Sequence, residues 1–382
     1  MTALPLGEAP LEAEIPARAT AALIVDLGAI TANWRALQQR VGPHCTVAAT
    51  VKADAYGLGL APVALALARA GCRWFFVATL DEAAALDALL RPAHRDCRIA
   101  LLAGPIPGTA GEIAALPAVL PVINDLGQLA DWRDAAPGKP ALLHLDTGMS
   151  RLGMEPAEAC RLAEDPTLLA GMPLAGVMSH LACADSPADP MNAVQRIVFE
   201  TLATALPSAP LSLAASCGIF LGFPYHFDMV RPGAALYGLN PLPNNPNPMS
   251  QVIGLKAKVL QLREIDAGRS VGYGARYTAG SPSRVATLGL GYADGILRSA
   301  GEHACVHVGP IEVPIIGRIS MDLITVDVSA VPPDALRAGD FVDVLGPRGD
   351  ADRLARAGGT LGYEVLTRLG QRLHRVYKAA PF

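Results

Sequence analysis

A lysine ends an apolar run near the start of the chain, in the sequence TVAATVKADAYGLG at residues 46–59. The residues from Thr46 to Val51 predict a buried strand, and Lys52 stands at its carboxyl end. An amine held in a dry pocket is less readily protonated and can attack a carbonyl compound. The alternative interpretation is a surface lysine that closes the strand.

Polar side chains also follow later apolar runs, at the same position relative to each run. They are Asp146 and Arg151 in LHLDTGMSRLG, His180 in GVMSHLACAD, Ser216 in LSLAASCG and Arg231 in DMVRPGAALYG. Taken singly, each has an ordinary explanation. His180 could be a structural histidine of the core, and Arg231 could form a salt bridge to Asp228. Together, these side chains could line one rim of a folded domain.

Eight short apolar runs explain how these side chains could share a rim. They are residues 46–52, 74–79, 98–104, 118–123, 141–146, 173–180, 211–216 and 228–233. Segments with helical periodicity lie between several of them. Strands that are apolar on both faces are typical of parallel sheets covered by helices, and eight such units predict a TIM barrel. The competing doubly wound sheet is disfavoured because YGLGL lacks the third glycine of a dinucleotide-binding turn.

The pattern changes after a Pro/Asn-rich stretch at residues 241–250, which predicts a linker. The following runs alternate between apolar and polar residues, as in KAKVLQL, which indicates a mainly β domain. We therefore predict an N-terminal extension at 1–20, an α/β TIM barrel at 21–245 and a mainly β C-terminal domain at 246–382. The run at 21–27 precedes the barrel repeats and could pair with the second domain.

Composition narrows the class of protein. The 382 residues are 51% hydrophobic and 17% charged, and the net charge of −4 offers no basic surface for nucleic acid. No window has the uninterrupted apolar length of a membrane span, and we expect no secretory signal in the first twenty residues. The seven cysteines are odd in number and widely spaced, which favours a reducing cytoplasm and predicts no metal site.

The loops after the seventh and eighth runs suggest a cofactor. In TIM barrels these loops commonly bind a phosphate through backbone N–H groups, and here they contain Ser216 and Gly233. A lysine on the same rim as a phosphate site predicts pyridoxal 5′-phosphate (PLP), which requires an amine partner and phosphate donors. A phosphosugar aldolase is the rival, since it also combines a barrel lysine with a phosphate site.

Seven sequence blocks resemble the signature blocks of alanine racemases, in the same order. They are VKADAYGLG, LDTGMSRLG, SHLACAD, DMVRPGAALYG, SVGYGARYTAG, LGYADG and GRISMD. The resemblance runs from about residue 21 to 378. It implies a fold-type III PLP enzyme, a head-to-tail homodimer with active sites shared between subunits, and D-alanine production for peptidoglycan precursors.

The resemblance implies a role for each matching residue. Lys52 corresponds to the Schiff-base lysine, Arg231 to the partner of the pyridine nitrogen and His180 to the imidazole beside the ring. Phosphate contacts are implied for Tyr56, Ser216, Gly233, Ala234 and Tyr363. Arg151 resembles the arginine that reaches the ring hydroxyl and the substrate carboxylate, and Met321 the residue whose N–H meets that carboxylate. Tyr273 is similar to a second catalytic base that is supplied by the partner subunit, while Tyr292 and Asp322 resemble residues near the entrance.

The chain departs from the family pattern at two places. His144 stands where the family often has a lysine, sometimes carbamylated, that holds the arginine corresponding to Arg151. A histidine cannot be carbamylated in this way, so another anion or a hydrogen bond must position Arg151. Ser212 and Ala215 replace a histidine and an asparagine before Ser216, so we expect a different set of partners around Arg231.

Racemisation explains why two bases are expected. A proton leaves one face of the substrate α-carbon and another returns to the opposite face, and one base does not readily reach both. Tyr273 could instead be a core aromatic, but its flanking residues Gly272 and Gly274 are unusual in a packed strand. The alternatives that we keep are a serine, lysine or broad-specificity racemase of the same fold and a PLP carrier protein.

Overall fold

The computed structural model describes residues 14–379, with Glu302 described by its backbone alone, so residues 1–13 of the predicted extension lie outside the description. The chain forms two compact units. Ala29–Ser250 make up one unit, and the described residues to Gly28 make up the other together with those from Gln251. The first elements are strand β1 (Ala21–Asp26) and helix α1 (Leu27–Val41).

The unit Ala29–Ser250 is built on a nine-stranded parallel sheet. Its strands are β2 (Thr46–Val47), β3 (Ala49–Thr50), β4 (Trp74–Val77), β5 (Arg98–Leu101), β6 (Val119–Ile123), β7 (Ala141–His144), β8 (Leu174–Met178), β9 (Leu211–Ser212) and β10 (Met229–Val230). The strand order is β2-β10-β9-β8-β7-β6-β5-β4-β3. Ala48 separates β2 from β3 and donates its N–H to Val230 O at 2.9 Å, so the two ends of the sheet belong to one continuous segment. The sheet therefore closes into a barrel.

Helices connect the barrel strands. They are α2 (Lys52–Tyr56), α3 (Leu60–Ala70), α4 (Leu80–Leu90), α5 (Ala110–Ala114), α6 (Leu126–Ala135), α7 (Pro156–Glu164) and α8 (Met191–Thr204), with 3₁₀ turns at Pro166–Leu169, Gly218–Leu221, Phe223–Tyr225 and Ala234–Tyr237. Side chains from successive strands fill the barrel interior, among them Phe76, Leu142 and Met178. This packed interior leaves the strand ends as the place for polar side chains.

The TIM barrel prediction is confirmed, since each of the eight runs contains a barrel strand. The doubly wound alternative is wrong because both sheet ends meet at residues 46–50. Helix α1 and the short α5 were not predicted from the sequence. The seventh and eighth runs are followed by 3₁₀ turns instead of long helices, and these turns keep the backbone close to the rim.

The second unit is mainly β, as the sequence predicts. Its further elements are β11 (Ile253–Ile265), β12 (Ser270–Val271), β13 (Tyr277–Thr278), β14 (Ser283–Leu288), β15 (Cys305–Val308), β16 (Ile311–Pro314), β17 (Ile324–Asp327), β18 (Phe341–Leu345), α9 (Ala351–Gly358), α10 (Gly362–Thr367) and β19 (His374–Lys378). Additional 3₁₀ turns lie at Tyr273–Ala275, Tyr292–Asp294, Arg298–Glu302 and Pro333–Ala335.

Strand β1 belongs to this β unit, where it pairs antiparallel with β11 and parallel with β19. Ala22 faces Lys256 in one register and His374 in the other. Five of the six β1 residues are buried, which explains why the run AALIVD is apolar without alternation. Within residues 14–379, no helix has both the length and the apolar character needed to cross a membrane.

Candidate active site

Lys52 is the first residue of α2, two residues after the end of β3. The residues after it form a left-handed turn, with φ of 54° at Ala53, 54° at Asp54, 53° at Ala55 and 58° at Tyr56. In this conformation the Cβ of an L-residue approaches the following carbonyl oxygen, at a cost of roughly 1–2 kcal/mol per residue. Four such residues in succession mark this turn as a strained segment that neighbouring contacts must hold in place.

Glu82 holds the strained turn from the start of α4. Its carboxylate accepts N–H groups from Ala53 at 2.6 Å, Ala78 at 2.8 Å and Thr79 at 3.3 Å, while Thr79 caps the same helix. Glu82 thus ties α4 to the residue that follows Lys52. Glu82 was not among the predicted site residues, although the Thr79-x-x-Glu82 spacing of a capping box could have revealed it.

The Lys52 amine has a perturbed charge state. Burial lowers the pKa of Lys52, the positive charge of Arg151 lowers it further, and the Glu82 carboxylate opposes both effects. A larger share of the amine is therefore unprotonated than in a solvated lysine. This is the state that a nucleophile or a general base requires.

A cluster of hydrogen-bond groups lies in the loops after β9 and β10, on the same barrel rim as Lys52. Ser216 is buried, and its Oγ accepts N–H groups from Gly233 and Ala235, both at 3.1 Å. A serine hydroxyl has two acceptor lone pairs and one proton, so these two bonds leave its proton to donate elsewhere. At Gly233, a Cβ would lie 2.3 Å from Tyr56 Oη, so only glycine fits there.

Tyr56 completes this donor cluster. Burial raises its pKa to about 12, so the phenol remains a hydrogen donor at neutral pH. Its ring packs against Tyr237 with the centroids 4.7 Å apart, and Tyr237 Oη donates to Thr50 O at 3.0 Å. Tyr237 therefore links the Ala234–Tyr237 turn to the strand that carries Lys52. The sequence analysis did not single out Tyr237.

Arg231 is buried at the end of β10. Its guanidinium donates to Ser212 Oγ and Ser179 O, both at 2.5 Å, and makes a longer bond to Leu213 O. The proposed salt bridge to Asp228 is wrong, because that carboxylate accepts the N–H of Leu211 at 2.7 Å instead. Ser212, one of the two positions at which the chain departs from the family pattern, is thus a hydrogen-bond partner of Arg231.

The charge of Arg231 persists despite its burial. Burial lowers the pKa of Arg231 to about 9, so the guanidinium is still positively charged at neutral pH. His180 Nδ1 lies 3.5 Å from Arg231 Nη2. Burial and the positive charges of Arg231 and Arg151 lower the pKa of His180 to about 3, which leaves its imidazole neutral.

The loop after β7 carries Arg151 as an exposed side chain. Asp146 stabilises this loop by accepting N–H groups from Gly148 and Met149 at 2.9 Å and from Ser150 at 2.9 and 3.1 Å. Burial acts to raise the pKa of Asp146, but these hydrogen bonds outweigh it and hold that pKa below its ordinary value. Asp146 therefore shapes the loop that carries Arg151, whose positive charge acts on Lys52 and His180.

Tyr273 lies in the β unit, at the tip of the hairpin formed by β12 and β13. Its side chain is 70% exposed, so the core-aromatic interpretation is wrong. Gly272 and Gly274 have φ of 74° and 70°, conformations that favour glycine. A Cβ at Gly274 would lie 3.5 Å from the Arg318 guanidinium, so Arg318 packs beneath the hairpin tip.

Tyr292 and Met321 are neighbours in the same unit. Tyr292 donates its N–H to Ser320 O at 3.0 Å, and Ala293 donates to Met321 O at 2.9 Å. The side chains of Met321 and Tyr292 are 54% and 39% exposed, so both are available to a ligand. Tyr363, near the start of α10, is 39% exposed.

Ion pairs of Arg372 connect the turn that contains Tyr292 with the segment that contains Met321. Arg372 binds Asp294 through Nε at 2.9 Å and Asp322 through Nη1 at 2.7 Å, and Asp294 also accepts the N–H of Gly291 at 2.9 Å. Asp322 was predicted as an entrance residue, and its ion pair with Arg372 stabilises the turn that carries Met321. Arg372 was missed because nothing in its local sequence indicates which carboxylates it meets.

The predicted site residues thus fall into two groups. The barrel rim contains Lys52, Tyr56, Arg151, His180, Ser216, Arg231, Gly233 and Ala234, and the β unit contains Tyr273, Tyr292, Met321, Asp322 and Tyr363. No group of three or more side chains in the described part of the chain is arranged to hold a metal ion.

Comparison with known proteins decides the family. The family model for the N-terminal domain of alanine racemase matches residues 25–241, and the model for its C-terminal domain matches residues 252–377. The chain belongs to the alanine racemase family. The two models meet at the Pro/Asn-rich linker that separates the barrel from the β unit.

Individual relatives agree with this assignment. The chain is 49% identical over 365 residues to an alanine racemase of Rhodospirillum rubrum, covering 94% of this chain and 96% of the relative. It is also 49% identical to a catabolic alanine racemase of Mesorhizobium japonicum, covering 94% of each chain. A crystal structure of alanine racemase from Bartonella henselae with covalently bound pyridoxal phosphate superposes with a TM-score of 0.88 at 38% identity, covering 94% of this chain and 99% of that one.

Proposed function

We propose that this member of the alanine racemase family interconverts L-alanine and D-alanine with PLP, using Lys52 and Tyr273 as its two bases. The observation that carries the proposal is an amine of lowered pKa on the same barrel rim as a donor cluster built from Ser216, Gly233 and Tyr56. The covalently bound PLP of the Bartonella henselae relative supports the same cofactor. The proposed product D-alanine would supply peptidoglycan precursors.

The residues of the rim fit PLP. The Ser216 hydroxyl, the Tyr56 phenol and the backbone around Gly233 and Ala234 would hold its phosphate, because they bring hydrogen donors together at a glycine that lets the backbone approach closely. Lys52 Nζ would form the covalent bond to its aldehyde carbon. When bound, PLP supplies the electron withdrawal that makes the substrate α-proton removable.

Arg231 would contact the ring nitrogen of PLP. Its guanidinium is fixed by Ser212, Ser179 and Leu213, so its position does not depend on the ligand. Because the guanidinium retains its protons at neutral pH, it does not protonate the ring nitrogen as a carboxylic acid would. This arrangement limits electron withdrawal and favours simple return of the proton over side reactions. The neutral imidazole of His180 would lie beside the ring.

Lys52 and Tyr273 would divide the proton transfers between them. Lys52 Nζ, once the substrate amine had replaced it on the cofactor, would take the α-proton of D-alanine, and Tyr273 Oη would take that of L-alanine. The unprotonated fraction of Lys52 supports its role as a base. The exposure of Tyr273 on a glycine-flanked hairpin supports a role outside its own unit's core.

The remaining contacts would orient the substrate. Arg151 would bind the ring hydroxyl and the substrate carboxylate, and the backbone N–H of Met321 would meet the same carboxylate. Tyr292 would lie at the entrance, and Tyr363 would add to the phosphate contacts. The exposure of Arg151 supports its assignment.

We further propose that the enzyme is a homodimer in which the partner subunit supplies Tyr273 to each site. Tyr273 is 70% exposed and is flanked by two glycines of positive φ. Insertion into the site of a partner subunit would explain this exposure. A PLP carrier has no use for a second base, so Tyr273 weighs against that alternative. The seven cysteines are free thiols, which supports a reducing, cytoplasmic location.

A turnover assay tests the reaction. The purified protein should racemise L-alanine and D-alanine at rates far above those for serine and lysine, and the two directions should reach an equal mixture. Comparable turnover of serine or lysine would favour the broad-specificity alternative. Binding of PLP without turnover of any amino acid would favour the carrier protein.

Borohydride reduction tests the cofactor bond. Reduction should fix PLP on the peptide that contains Lys52, as seen by mass spectrometry. Lys256 and Lys258 are internal controls, because Lys256 is ion-paired with Asp343 at 2.7 Å and Lys258 donates to Ala17 O at 2.6 Å. Labelling of either control lysine in place of Lys52 would overturn the assignment.

A further inference from the structure

A buried histidine on the barrel rim has no role in the proposed proton transfers. His144 ends β7 and is 9% exposed, and its Nδ1 lies 2.9 Å from Asn124 Oδ1. Burial and the charges of Arg231 and Arg151 lower the pKa of His144 to about 4, against the opposing charge of Asp146. The imidazole is therefore neutral at physiological pH, so one ring nitrogen carries a proton and the other does not.

Asn124 determines which ring nitrogen carries the proton. Its Nδ2 donates to Leu102 O at 3.1 Å and to Val122 O at 2.9 Å, which fixes the orientation of the amide. Its Oδ1 is then an acceptor, so His144 Nδ1 must be the donor in the bond between them. In a neutral ring this leaves Nε2 as an unprotonated acceptor.

The loop after β7, which carries Arg151, passes back beside the imidazole of His144 at Gly153 and Met154. Met154 donates its N–H to His144 O at 2.7 Å, and a Cβ at Gly153 would lie 3.2 Å from His144 Cδ2, the carbon bonded to Nε2. Arg151 stands two residues before Gly153. Across residues 14–379, leaving aside the Glu302 side chain, the structure shows neither an ion pair nor a hydrogen bond to the Arg151 side chain, and the nearby Asp146 carboxylate is engaged by backbone N–H groups.

We infer that His144 is a positioning residue for Arg151, offering its Nε2 lone pair to the guanidinium while Asn124 fixes the ring. The inference rests on the proposed function, in which Arg151 binds the substrate carboxylate. A neutral acceptor suits this task because it orients the guanidinium without compensating its charge. The full positive charge of Arg151 then remains for the anionic ligand.

Nitrogen NMR tests the contact without relying on activity. In full-length holoenzyme with ¹⁵N-labelled histidine, His144→Gln assigns the His144 signals among the eight histidines. The wild-type spectrum should show protonated Nδ1 and unprotonated Nε2. The Nε2 signal should move downfield in Arg151→Met, because the hydrogen bond is lost, and stay in place in Arg161→Met, an exposed arginine on α7. Protonation at Nε2, or no change in Arg151→Met, would overturn the inference.

A double-mutant cycle tests the functional consequence. His144→Leu should raise the KM for alanine about tenfold, the scale of one hydrogen bond to a charged group, while His144→Gln, which keeps an acceptor, should stay near wild type. In the Arg151→Met background, His144→Leu should have no further effect on KM, since its partner is gone. Equal effects in both backgrounds would show a merely structural histidine.

The two measurements separate this inference from the proposed function. A wild-type protein without racemase activity would refute the proposed function, and the NMR spectra would still test the contact between His144 and Arg151. If His144→Leu does not fold, the shift of the Nε2 signal in Arg151→Met and the activity of His144→Gln still decide the inference.

Discussion

Lys52 and Tyr273, the two proposed bases, differ in burial. Lys52 is partly buried beside a cation, and its pKa is lowered by burial and by Arg151. Tyr273 is exposed on a hairpin tip. Protons leave and return on opposite faces of the substrate α-carbon, and each proposed base would serve one of these faces. The two side chains can therefore be separated experimentally by the enantiomer that each one attacks.

Tyr273→Phe should leave PLP binding intact and lower racemisation by about 10²–10⁴-fold, the range typical of a lost general base. In deuterated water this variant should still exchange the α-proton of D-alanine through Lys52, and should exchange that of L-alanine far more slowly. Mass spectrometry of each enantiomer after incubation measures both rates. Equal exchange from both enantiomers would remove Tyr273 from the role of a face-specific base.

Residue types predicted the chemistry better than they predicted the supporting contacts. Lys52, Ser216 and Arg231 stand at strand ends, so the barrel pattern was enough to place them on one rim. Glu82 and Arg372 act through partners that folding brings close, 29 residues away for Ala53 and 78 for Asp294. No local sequence pattern encodes such pairings.

The left-handed turn at α2 is the element on which the position of Lys52 depends. Four non-glycine residues with positive φ are held by bonds from outside the turn, including the one from Glu82 to Ala53. The apolar run at 46–51 predicted the strand before the turn, and the helical periodicity after Gly59 predicted the helix that follows it. The handedness of the turn could not be predicted, because alanine, aspartate and tyrosine ordinarily avoid this conformation.

Glu82→Ala should lower both stability and activity, because it removes one half of the capping box of α4 and the support of the turn together. We expect the free energy of unfolding to fall by about 2 kcal/mol, the scale of hydrogen bonds to a charged group. The rate per folded molecule should fall as well, since Lys52 loses its fixed position. Chemical denaturation and assays on the folded fraction measure the two effects.

Thr79→Ala is the matched control. It removes the cap of α4, at a cost of about 1 kcal/mol, and leaves the bond between Glu82 and Ala53 in place. Its rate per folded molecule should therefore equal that of the wild type. If both variants lose stability and neither loses rate, Glu82 serves only the helix and not Lys52.

At the scale of the whole molecule, the predicted site residues are divided between two compact units. Barrel periodicity and β alternation predicted both architectures. The position of β1 between β11 and β19 depends on long-range pairing, which a local pattern does not specify. The proposed homodimer makes it testable whether both groups of predicted residues contribute to one active site.

Subunit exchange tests whether Lys52 and Tyr273 of one active site come from different chains. Lys52→Ala and Tyr273→Phe proteins should each be nearly inactive. After mixing and exchange, half of the dimers should be heterodimers, and each should contain one site with both bases intact. Recovery should approach about a quarter of the wild-type activity, as two-fold symmetry requires.

The control for this experiment is the double variant that carries both changes on one chain. Mixed with Lys52→Ala, it yields no site that has a lysine, and mixed with Tyr273→Phe it yields no site that has the tyrosine. Neither mixture should recover, whichever chains contribute to a site. If the two single variants also fail to recover while native mass spectrometry shows heterodimers, both bases of each site must come from the same chain, because a shared site would then have been complete. The proposed exchange of Tyr273 between subunits would have to be withdrawn, and the exposure of its side chain would need another explanation.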